Sequence, residues 1–274
     1  MEGRIIKVLS NDYTILSGDK SIVCKARGVF RNQNITPLAG DIVEIDEEKK
    51  IILEIKPRIN SLHRPPVSNI DIALVVMSLT EPDFNFNLLD KLLCIVEWNN
   101  IKPIICLTKK DLLKDLSILD KINYYKEIGY KVFYNTQIDE LKKELENKVV
   151  ILTGQTGVGK STLLNKFDSS LKLNTNEISK ALGRGKHTTR KIEFYEINNC
   201  LIADTPGFSL IDFKDMTKED IRDNFIEFND YKDKCKYKDC NHVNEQECYI
   251  KELVSKNKIL KERYDDYVLF VKEK

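Results

Sequence analysis

The sequence has no excess of charge of either sign and no long apolar run. Its 274 residues carry 44 lysines and arginines against 43 aspartates and glutamates, a formal net charge of +1, so any contact with nucleic acid must come from local basic patches. The longest apolar runs, such as residues 72–77, are far too short to span a membrane. Residues 1–6 also lack the apolar stretch of a secretion signal. We therefore expect a cytoplasmic protein that does not enter a membrane.

Cysteines are present, but in an odd number, which argues against a framework of disulfides. Four of the seven are scattered through apolar segments and are expected as buried free thiols: Cys24, Cys94, Cys106 and Cys200. The other three form a cluster with one histidine, Cys235-x4-Cys240-x-His242-x5-Cys248. Three thiols and one imidazole within fourteen residues are soft ligands typical of a closed, structural zinc site. The cluster predicts one Zn²⁺ per chain.

The first part of the chain, residues 1–62, predicts a small β-barrel. Its apolar runs are short and are separated by turn residues; they lie at 3–9, 13–17, 21–26, 42–45 and 51–55. Five strands in some sixty residues suit an OB-fold, which often binds RNA, although a purely structural barrel without a ligand is the alternative. Residues 63–68 contain Pro65-Pro66, whose restricted backbone favours an extended linker.

Residues 69–215 change to an α/β pattern. Buried strands are predicted at 70–78, 104–107, 131–134, 149–153 and 199–203, and helices at 88–96, 112–125 and 138–146. Alternation of strands and helices predicts a parallel sheet with right-handed crossovers. Residues 216–274 have no strand pattern, and helices are predicted on both sides of the cysteine cluster, at 218–229 and 250–271. The fold class is therefore multidomain α/β.

A phosphate-binding loop follows the strand at 149–153. Residues 154–161 are GQTGVGKS, the complete phosphate-loop pattern, between a predicted strand and a predicted helix. Its glycines allow backbone N–H groups to converge on phosphate oxygens, and the helix N-terminus adds positive potential. Lys160 is predicted to reach the β- and γ-phosphates and Ser161 to bind Mg²⁺. The predicted nucleotide contacts are Gly154, Gln155, Thr156, Gly157, Val158, Gly159, Lys160, Ser161 and Thr162.

A candidate guanine-recognition motif, Thr108-Lys109-Lys110-Asp111, precedes the phosphate loop in the chain. A carboxylate at Asp111 would accept hydrogen bonds from guanine N1–H and the exocyclic amine, which adenine cannot offer, and the Lys109 stem would cover the ring. The usual motif begins with asparagine, so Thr108 predicts lower guanine affinity or looser selectivity. The alternative is that residues 109–111 only begin a charged helix.

A magnesium motif, Asp204-Thr205-Pro206-Gly207, follows the phosphate loop. Asp204 ends an apolar strand and suits a carboxylate near Mg²⁺, and the Gly207 amide would lie near the γ-phosphate. In ordinary GTPases the phosphate loop comes first and the base motif comes late. Here the base motif comes first, so the order of motifs predicts a circularly permuted GTPase domain.

The segment between these motifs, residues 183–190, has the sequence GRGKHTTR. One of Thr188 and Thr189 is expected to complete the Mg²⁺ shell. Phe208 occupies the position where many GTPases have a glutamine that orients water, and phenylalanine cannot hydrogen-bond to water. His187 is therefore the candidate catalytic group, together with Lys160; alternatively, His187 only contacts RNA or phosphate.

Taken together, these motifs resemble the RsgA (YjeQ-like) family of circularly permuted GTPases, which act in small ribosomal subunit biogenesis. The resemblance rests on the barrel, the proline-containing linker, the permuted motifs, GRGKHTTR, DTPGF and the Cys/His cluster. It implies an N-terminal OB-fold β-barrel (1–62), a linker (63–68), a circularly permuted P-loop GTPase domain (69–215) and a C-terminal α-helical zinc-binding domain (216–274).

The resemblance also implies function. Such a protein would hydrolyse GTP to GDP and phosphate, be stimulated by the 30S subunit, bind 16S rRNA and assist late 30S maturation as a monomer, with His187 matching the family's proposed catalytic histidine. Two alternatives stay open: a nucleotide-regulated RNA-binding factor with little hydrolysis of its own, and a hydrolase of both ATP and GTP with relaxed base selectivity.

Overall fold

The computed structural model describes residues 1–168, 192–204 and 212–274. Its strands are β1 (Glu2–Leu9), β2 (Asp12–Ser17), β3 (Lys20–Ala26), β4 (Ile42–Asp46), β5 (Ile51–Ile55), β6 (Ser61–Leu62), β7 (Val67–Ser68), β8 (Ile72–Ser78), β9 (Lys102–Thr108), β10 (Lys131–Tyr134), β11 (Val149–Thr153), β12 (Ile192–Ile197) and β13 (Cys200–Asp204). Its α-helices are α1 (Gly28–Asn32), α2 (Phe86–Trp98), α3 (Ser117–Glu127), α4 (Ile138–Leu145), α5 (Lys160–Phe167), α6 (Lys218–Asp223), α7 (Tyr249–Ser255) and α8 (Lys261–Lys272). Short 3₁₀ turns lie at Lys110–Leu112, Ile226–Phe228 and Lys232–Lys234.

Strands β1 to β5 close into the predicted five-stranded, OB-like barrel. The strand order is β1-β2-β3-β5-β4, and β4 pairs back to β1. All pairs are antiparallel except β3 with β5. Alternate side chains point inward, and Ile5, Ile15, Val43 and Ile52 are fully buried in the barrel core. Closure removes the free strand edges that an open sheet of this size would expose.

A mixed sheet of six strands follows, in the order β10-β9-β8-β11-β13-β12. Its strands are parallel except β12, which runs antiparallel to β13. Every residue of β8 is buried, because helices cover both faces of the sheet. The outer strand β12 also pairs with β1 of the barrel, at Val8 with Ile192 and at Lys7 with Glu193, so the barrel and the sheet share one hydrogen-bonded ladder.

The junction between barrel and sheet is polar. Asp41 is fully buried and accepts two hydrogen bonds from Arg58, at 2.7 and 2.8 Å, and one from the Ser68 hydroxyl at 2.5 Å. Gly40 has a φ of +100°, and a Cβ there would come within 1.9 Å of the Ser68 carbonyl oxygen. The segment predicted as a linker, 63–68, lies here: β7 pairs with β6, and Val67 is buried.

The C-terminal part, residues 212–274, is helical, and the structure describes no strand in that range. The prediction of one helix over 250–271 is wrong. Helix α7 ends at Ser255 and α8 begins at Lys261, because Asn257 adopts a left-handed conformation with φ of 54°, which asparagine tolerates. The prediction of a helix over 218–229 is also wrong, since α6 ends at Asp223 and a 3₁₀ turn follows.

A buried ion cluster attaches this helical part to the sheet. Arg263 on α8 is 1% exposed and donates to both carboxylate oxygens of Glu227, at 2.6 and 2.9 Å, and to Asp90 on α2 at 2.6 Å. The Tyr125 hydroxyl donates to the same oxygen of Asp90 at 2.7 Å. Burial raises the pKa of Asp90 to about 7, against the opposing effect of Arg263.

None of the described helices combines the length and the apolar character needed to cross a membrane.

Candidate nucleotide-binding site and metal centre

The predicted nucleotide motifs meet at one edge of the sheet. Parallel strands β8, β9, β11 and β13 all end at this edge. The register places Thr108 beside Ser78, and Asp204 beside Leu152, two residues before the phosphate loop. Ligands of open α/β sheets bind at the carboxyl ends of the strands. The motifs therefore come together although their order in the chain is inverted.

The phosphate loop lies tightly against strand β8. Gly154 has a φ of +135°, and a Cβ there would come 2.1 Å from the Val76 carbonyl oxygen, so only glycine fits this position. Val158, in the middle of the loop, is 1% exposed. The Lys160 Nζ donates to the carbonyl oxygens of Gly154 and Gln155, each at 2.8 Å. The ammonium group therefore lies over the loop, where the negative charge of a phosphate would be placed.

The remaining phosphate-loop residues differ in exposure. Thr156, Gly157 and Thr162 are exposed, whereas Ser161, in the first turn of α5, is half-buried. Gly159 has a φ of 97° and directly precedes α5. The exposed backbone of the loop and the first turn of the helix present their N–H groups to the same space.

The guanine motif contacts two other segments. The Thr108 hydroxyl donates to the Val158 carbonyl oxygen of the phosphate loop at 2.7 Å. Lys109 is left-handed, with φ 58° and ψ 34°, and its Nζ donates to the carbonyl oxygen of Glu81, in the loop between β8 and α2. Asp111 is exposed in the 3₁₀ turn that follows. The motif is therefore a turn after β9, and the helix α3 begins only at Ser117.

An aromatic side chain supports this turn from the neighbouring strand. Lys110 Nζ lies 4.2 Å from the centre of the Tyr134 ring at the end of β10, and Lys126 Nζ lies 5.8 Å from it. Contacts of this kind between a cation and the face of a ring are favourable. They hold the segment that carries Asp111 next to the end of β10.

Several predicted site residues lie outside the described residues. They are His187, Thr188, Thr189 and Gly207. For Asp204 the structure describes the backbone, as the last residue of β13. Their predicted roles at the magnesium ion and at the attacking water stay predictions.

The predicted metal ligands converge in the C-terminal part. The ligand atoms of Cys235, Cys240, His242 and Cys248 all lie within 4.8 Å of one another. His242 Nδ1 is 3.5 Å from Cys235 Sγ and 3.4 Å from Cys248 Sγ, and these two sulfurs are 3.9 Å apart. In a tetrahedral zinc site the ligand atoms lie about 3.5–3.8 Å apart. The cluster could therefore hold one zinc ion.

The chemistry of the donors agrees with this geometry. Burial raises the pKa of the Cys240 thiol to about 12 and also raises that of Cys248, so thiolates here require a positive ion between them. Burial lowers the pKa of His242 to about 4, which favours the neutral imidazole that binds metals.

Helix α8 holds the backbone of the metal loop in place. The Tyr264 hydroxyl donates to the His242 carbonyl oxygen at 2.7 Å, and the Tyr267 hydroxyl donates to that of Asn241 at 2.5 Å. The same helix carries Arg263, which binds α2. The sequence analysis missed all three α8 side chains and also the Glu81 contact, because no spacing in the sequence indicates partners so far along the chain.

Comparison with known proteins identifies sequences similar to nearly the whole chain. The sequence profile of the family described as RsgA GTPase matches residues 55–214, and that of the RsgA N-terminal domain matches residues 2–51. The small ribosomal subunit biogenesis GTPase RsgA 2 of Oceanobacillus iheyensis is 47% identical, over 99% of this chain and 97% of that protein. The small ribosomal subunit biogenesis GTPase RsgA of Streptococcus agalactiae is 46% identical, over 100% of this chain and 95% of that protein.

Two solved structures share the whole fold. The crystal structure of YloQ, described as a circularly permuted GTPase, has a TM-score of 0.82 at 36% identity and covers 99% of this chain and 94% of its own. The crystal structure of YjeQ from Thermotoga maritima has a TM-score of 0.82 at 32% identity and covers 99% of this chain and 97% of its own. The similarity extends from the barrel to the C-terminal helices, and it confirms the predicted fold class, including the circular permutation.

Proposed function

The chain belongs to the RsgA GTPase family, and from this premise we propose that it hydrolyses GTP as a biogenesis factor of the small ribosomal subunit. Its relatives of nearly equal length carry that name. Family membership makes it a GTP hydrolase. The finer proposal is that 30S subunits stimulate its turnover and that it binds 16S rRNA.

The observation that carries this proposal is the bond between Thr108 and Val158. It joins the guanine motif to the phosphate loop across 50 positions of the chain, as a site that recognises both the base and the phosphates requires. In this site Asp111 accepts hydrogen bonds from guanine, and Lys160 leaves the Gly154 carbonyl to bind the β- and γ-phosphates.

The proposed magnesium ligands are Ser161, Asp204 and one of Thr188 and Thr189. Ser161 and Asp204 belong to neighbouring strand–loop segments at the same sheet edge, which supports this set. Mg²⁺, when bound, neutralises charge on the phosphoryl group that is transferred. His187 is proposed to orient the attacking water, because phenylalanine at position 208 offers no hydrogen bond.

We propose the domain boundaries 1–62, 63–68, 69–215 and 216–274 for the barrel, the linker, the GTPase domain and the zinc domain. The barrel and the zinc domain lie on either side of the GTPase domain in the chain, and both are proposed to contact rRNA. A single chain contains every predicted site residue, which supports action as a monomer.

The experiment measures phosphate release from GTP and from ATP, each with and without purified 30S subunits. We expect GTP turnover to rise at least about tenfold with subunits, and to be lost in His187→Ala while GDP binding is retained, since a general-base or water-orienting group typically contributes 10²–10⁴-fold. Lys160→Ala is the comparison variant and should lose nucleotide affinity as well.

Three results would contradict the proposal. An absence of response to 30S subunits would exclude ribosome-dependent turnover. Equal use of ATP would instead support the alternative of relaxed base selectivity. Full activity of His187→Ala would remove that residue from catalysis.

A further inference from the structure

We propose that Thr108 is a positioning residue that fastens the guanine loop to the phosphate loop and makes no contact with the base itself. The inference rests on the proposed nucleotide site and assigns to Thr108 a role other than base recognition. It accounts for the threonine that stands where the usual motif has asparagine.

The hydroxyl of Thr108 already donates a hydrogen bond within the protein. Thr108 is 2% exposed, and its Oγ1 lies 2.7 Å from the Val158 carbonyl oxygen and 3.4 Å from that of Met77. A threonine hydroxyl has one proton to donate. The groups on the Hoogsteen edge of guanine, N7 and O6, are both acceptors. A proton donated to Val158 is therefore not available to the base.

The bond joins the Thr108 side chain to the one phosphate-loop residue that lies between Gly157 and Gly159. Val158 is 1% exposed, and its neighbours Gly157 and Gly159 have φ values of 86° and 97°. Glycine has more accessible backbone conformations than other residues, so a bond at Val158 restricts the backbone where the sequence itself restricts it least. A Cβ at Gly159 would lie 4.0 Å from the Thr108 methyl group, so the loop rests directly on this side chain. Fixing the Val158 carbonyl fixes the direction of the neighbouring N–H groups.

Two consequences follow for binding. Loss of the Thr108 hydroxyl should loosen the loop and weaken every nucleotide by the same factor, because the N–H groups that bind phosphate are shared by all of them. Discrimination between bases should stay unchanged, because it rests on the exposed carboxylate of Asp111.

The test uses Thr108→Val, which removes the hydroxyl and keeps the shape, and measures GTP hydrolysis and GDP affinity in the full-length protein. We expect KM for GTP and Kd for GDP to rise about five- to tenfold, as for an unsatisfied buried acceptor, with kcat unchanged. Thr108→Ser retains the hydroxyl and should restore wild-type values. Thr153→Val is the matched control: its buried hydroxyl directly precedes the loop and has no hydrogen-bond partner among the described residues, so nucleotide affinity should not change.

A base analogue separates positioning from recognition. The ratio of affinities for GDP and 7-deaza-GDP, which lacks N7, should be the same in wild type and in Thr108→Val. A ratio that falls toward one only in the variant would show that Thr108 contacts N7 and would overturn the inference. Unchanged KM and Kd in Thr108→Val would overturn it as well.

A failure of the proposed function would give different results from a failure of the inference about Thr108. If the wild-type protein bound neither GTP nor GDP, the nucleotide site itself would be wrong. If the wild type binds and the variant changes base preference, only the role of Thr108 is wrong. If Thr108→Val did not fold, the wild type and Thr108→Asn would decide. We expect the wild type to bind GDP and 7-deaza-GDP equally and Thr108→Asn, whose amide can donate to N7, to prefer GDP. A wild type that prefers GDP as strongly as Thr108→Asn does would overturn the inference.

Discussion

The central sheet is joined to a neighbour on each side, and the two junctions are built from different chemistry. The barrel junction combines a strand pair, β1 with β12, with hydrogen bonds from Arg58 and Ser68 to Asp41. The C-terminal junction is centred on one buried arginine, Arg263, held between Asp90 and Glu227, and Asn87 also donates to Asp266 across it. Arg58 is 29% exposed, whereas Arg263 is 1% exposed.

The difference in exposure between the two arginines predicts how much stability a substitution costs at each junction. Water can reach Arg58 if its partner is lost, and the backbone ladder between β1 and β12 would remain. The Arg263 guanidinium is buried against aromatic rings: its central carbon lies 4.6 Å from the centre of the Phe225 ring and 5.4 Å from that of the Tyr125 ring. Water would therefore replace a lost partner only if these rings moved apart. One substitution should therefore cost more at the C-terminal junction than at the barrel junction.

The largest effect is expected from Arg263→Ala. Removal of the arginine leaves the Glu227 carboxylate buried without a counter-charge and removes the guanidinium donor to Asp90, and breaking a buried pair in this way costs about 3–5 kcal/mol. Urea unfolding followed by a C-terminal probe measures the change in free energy of unfolding.

The matched control lies on the same helix. Lys261→Ala removes an exposed pair with Asp265, and exposed pairs contribute less than about 1 kcal/mol. If both variants lost the same stability, the Arg263 cluster would not be the basis of the junction.

A smaller effect is expected at the barrel junction, from Asp41→Asn. The amide keeps the shape but has one acceptor oxygen where the carboxylate has two. Each carboxylate oxygen accepts one bond from Arg58 and a second one from Ser68 or from the Leu38 N–H, so one bond of each kind is lost. Water can replace the partner of Arg58, which is 29% exposed, so the cost is mainly that of the other bond. Loss of a bond to a buried partner costs about 1–3 kcal/mol. The free energy of unfolding of the barrel, measured by hydrogen exchange in β1 to β5, tests this value; a loss larger than that of Arg263→Ala would reverse the comparison.

The last expected effect is a dependence on pH at the C-terminal junction. Burial raises the pKa of Asp90 from 3.8 to about 7, so the folded protein holds this proton more tightly than the unfolded chain does. The stability from protonated Asp90 is complete below about pH 4 and is lost as pH rises toward about 7, with a slope of at most about 1.4 kcal/mol per pH unit.

Denaturation at several pH values checks this sign. Asp90→Asn should remove the loss of stability between about pH 4 and 7 that is due to Asp90. Glu97, whose pKa burial raises to about 6, titrates in both proteins and cancels in the difference. Parallel curves for the two proteins would contradict the prediction.

The parts of the molecule that were predicted from sequence are those whose geometry is local. Residues 154–161 and the cluster from 235 to 248 carry all of their phosphate-binding or metal-binding atoms within a few turns of chain, and the structure brings the four metal ligands together as predicted. The barrel strands were predicted from short apolar runs separated by turn residues, a pattern that also depends only on neighbours in the chain.

The parts that were not predicted depend on distant partners. Arg263 and Asp90 are 173 positions apart, and an isolated arginine in a helical segment gives no indication of burial. The break between α7 and α8 at the left-handed Asn257 brings Ile259, which is 2% exposed, into the apolar cluster of the C-terminal part. The hydroxyl of Thr108 was expected at the base and instead donates to the phosphate loop.

Short-range chemistry, set by residue types and their spacing, was therefore enough to identify the barrel, the inverted order of nucleotide motifs and a zinc ligand set. Packing of the folded chain was needed to establish which groups are desolvated and which hydrogen bonds remain available. The reason is physical: a backbone turn or a metal loop is formed by neighbours in the chain, whereas the energy of a buried charge or of a committed hydroxyl depends on atoms that only folding brings within a few ångströms.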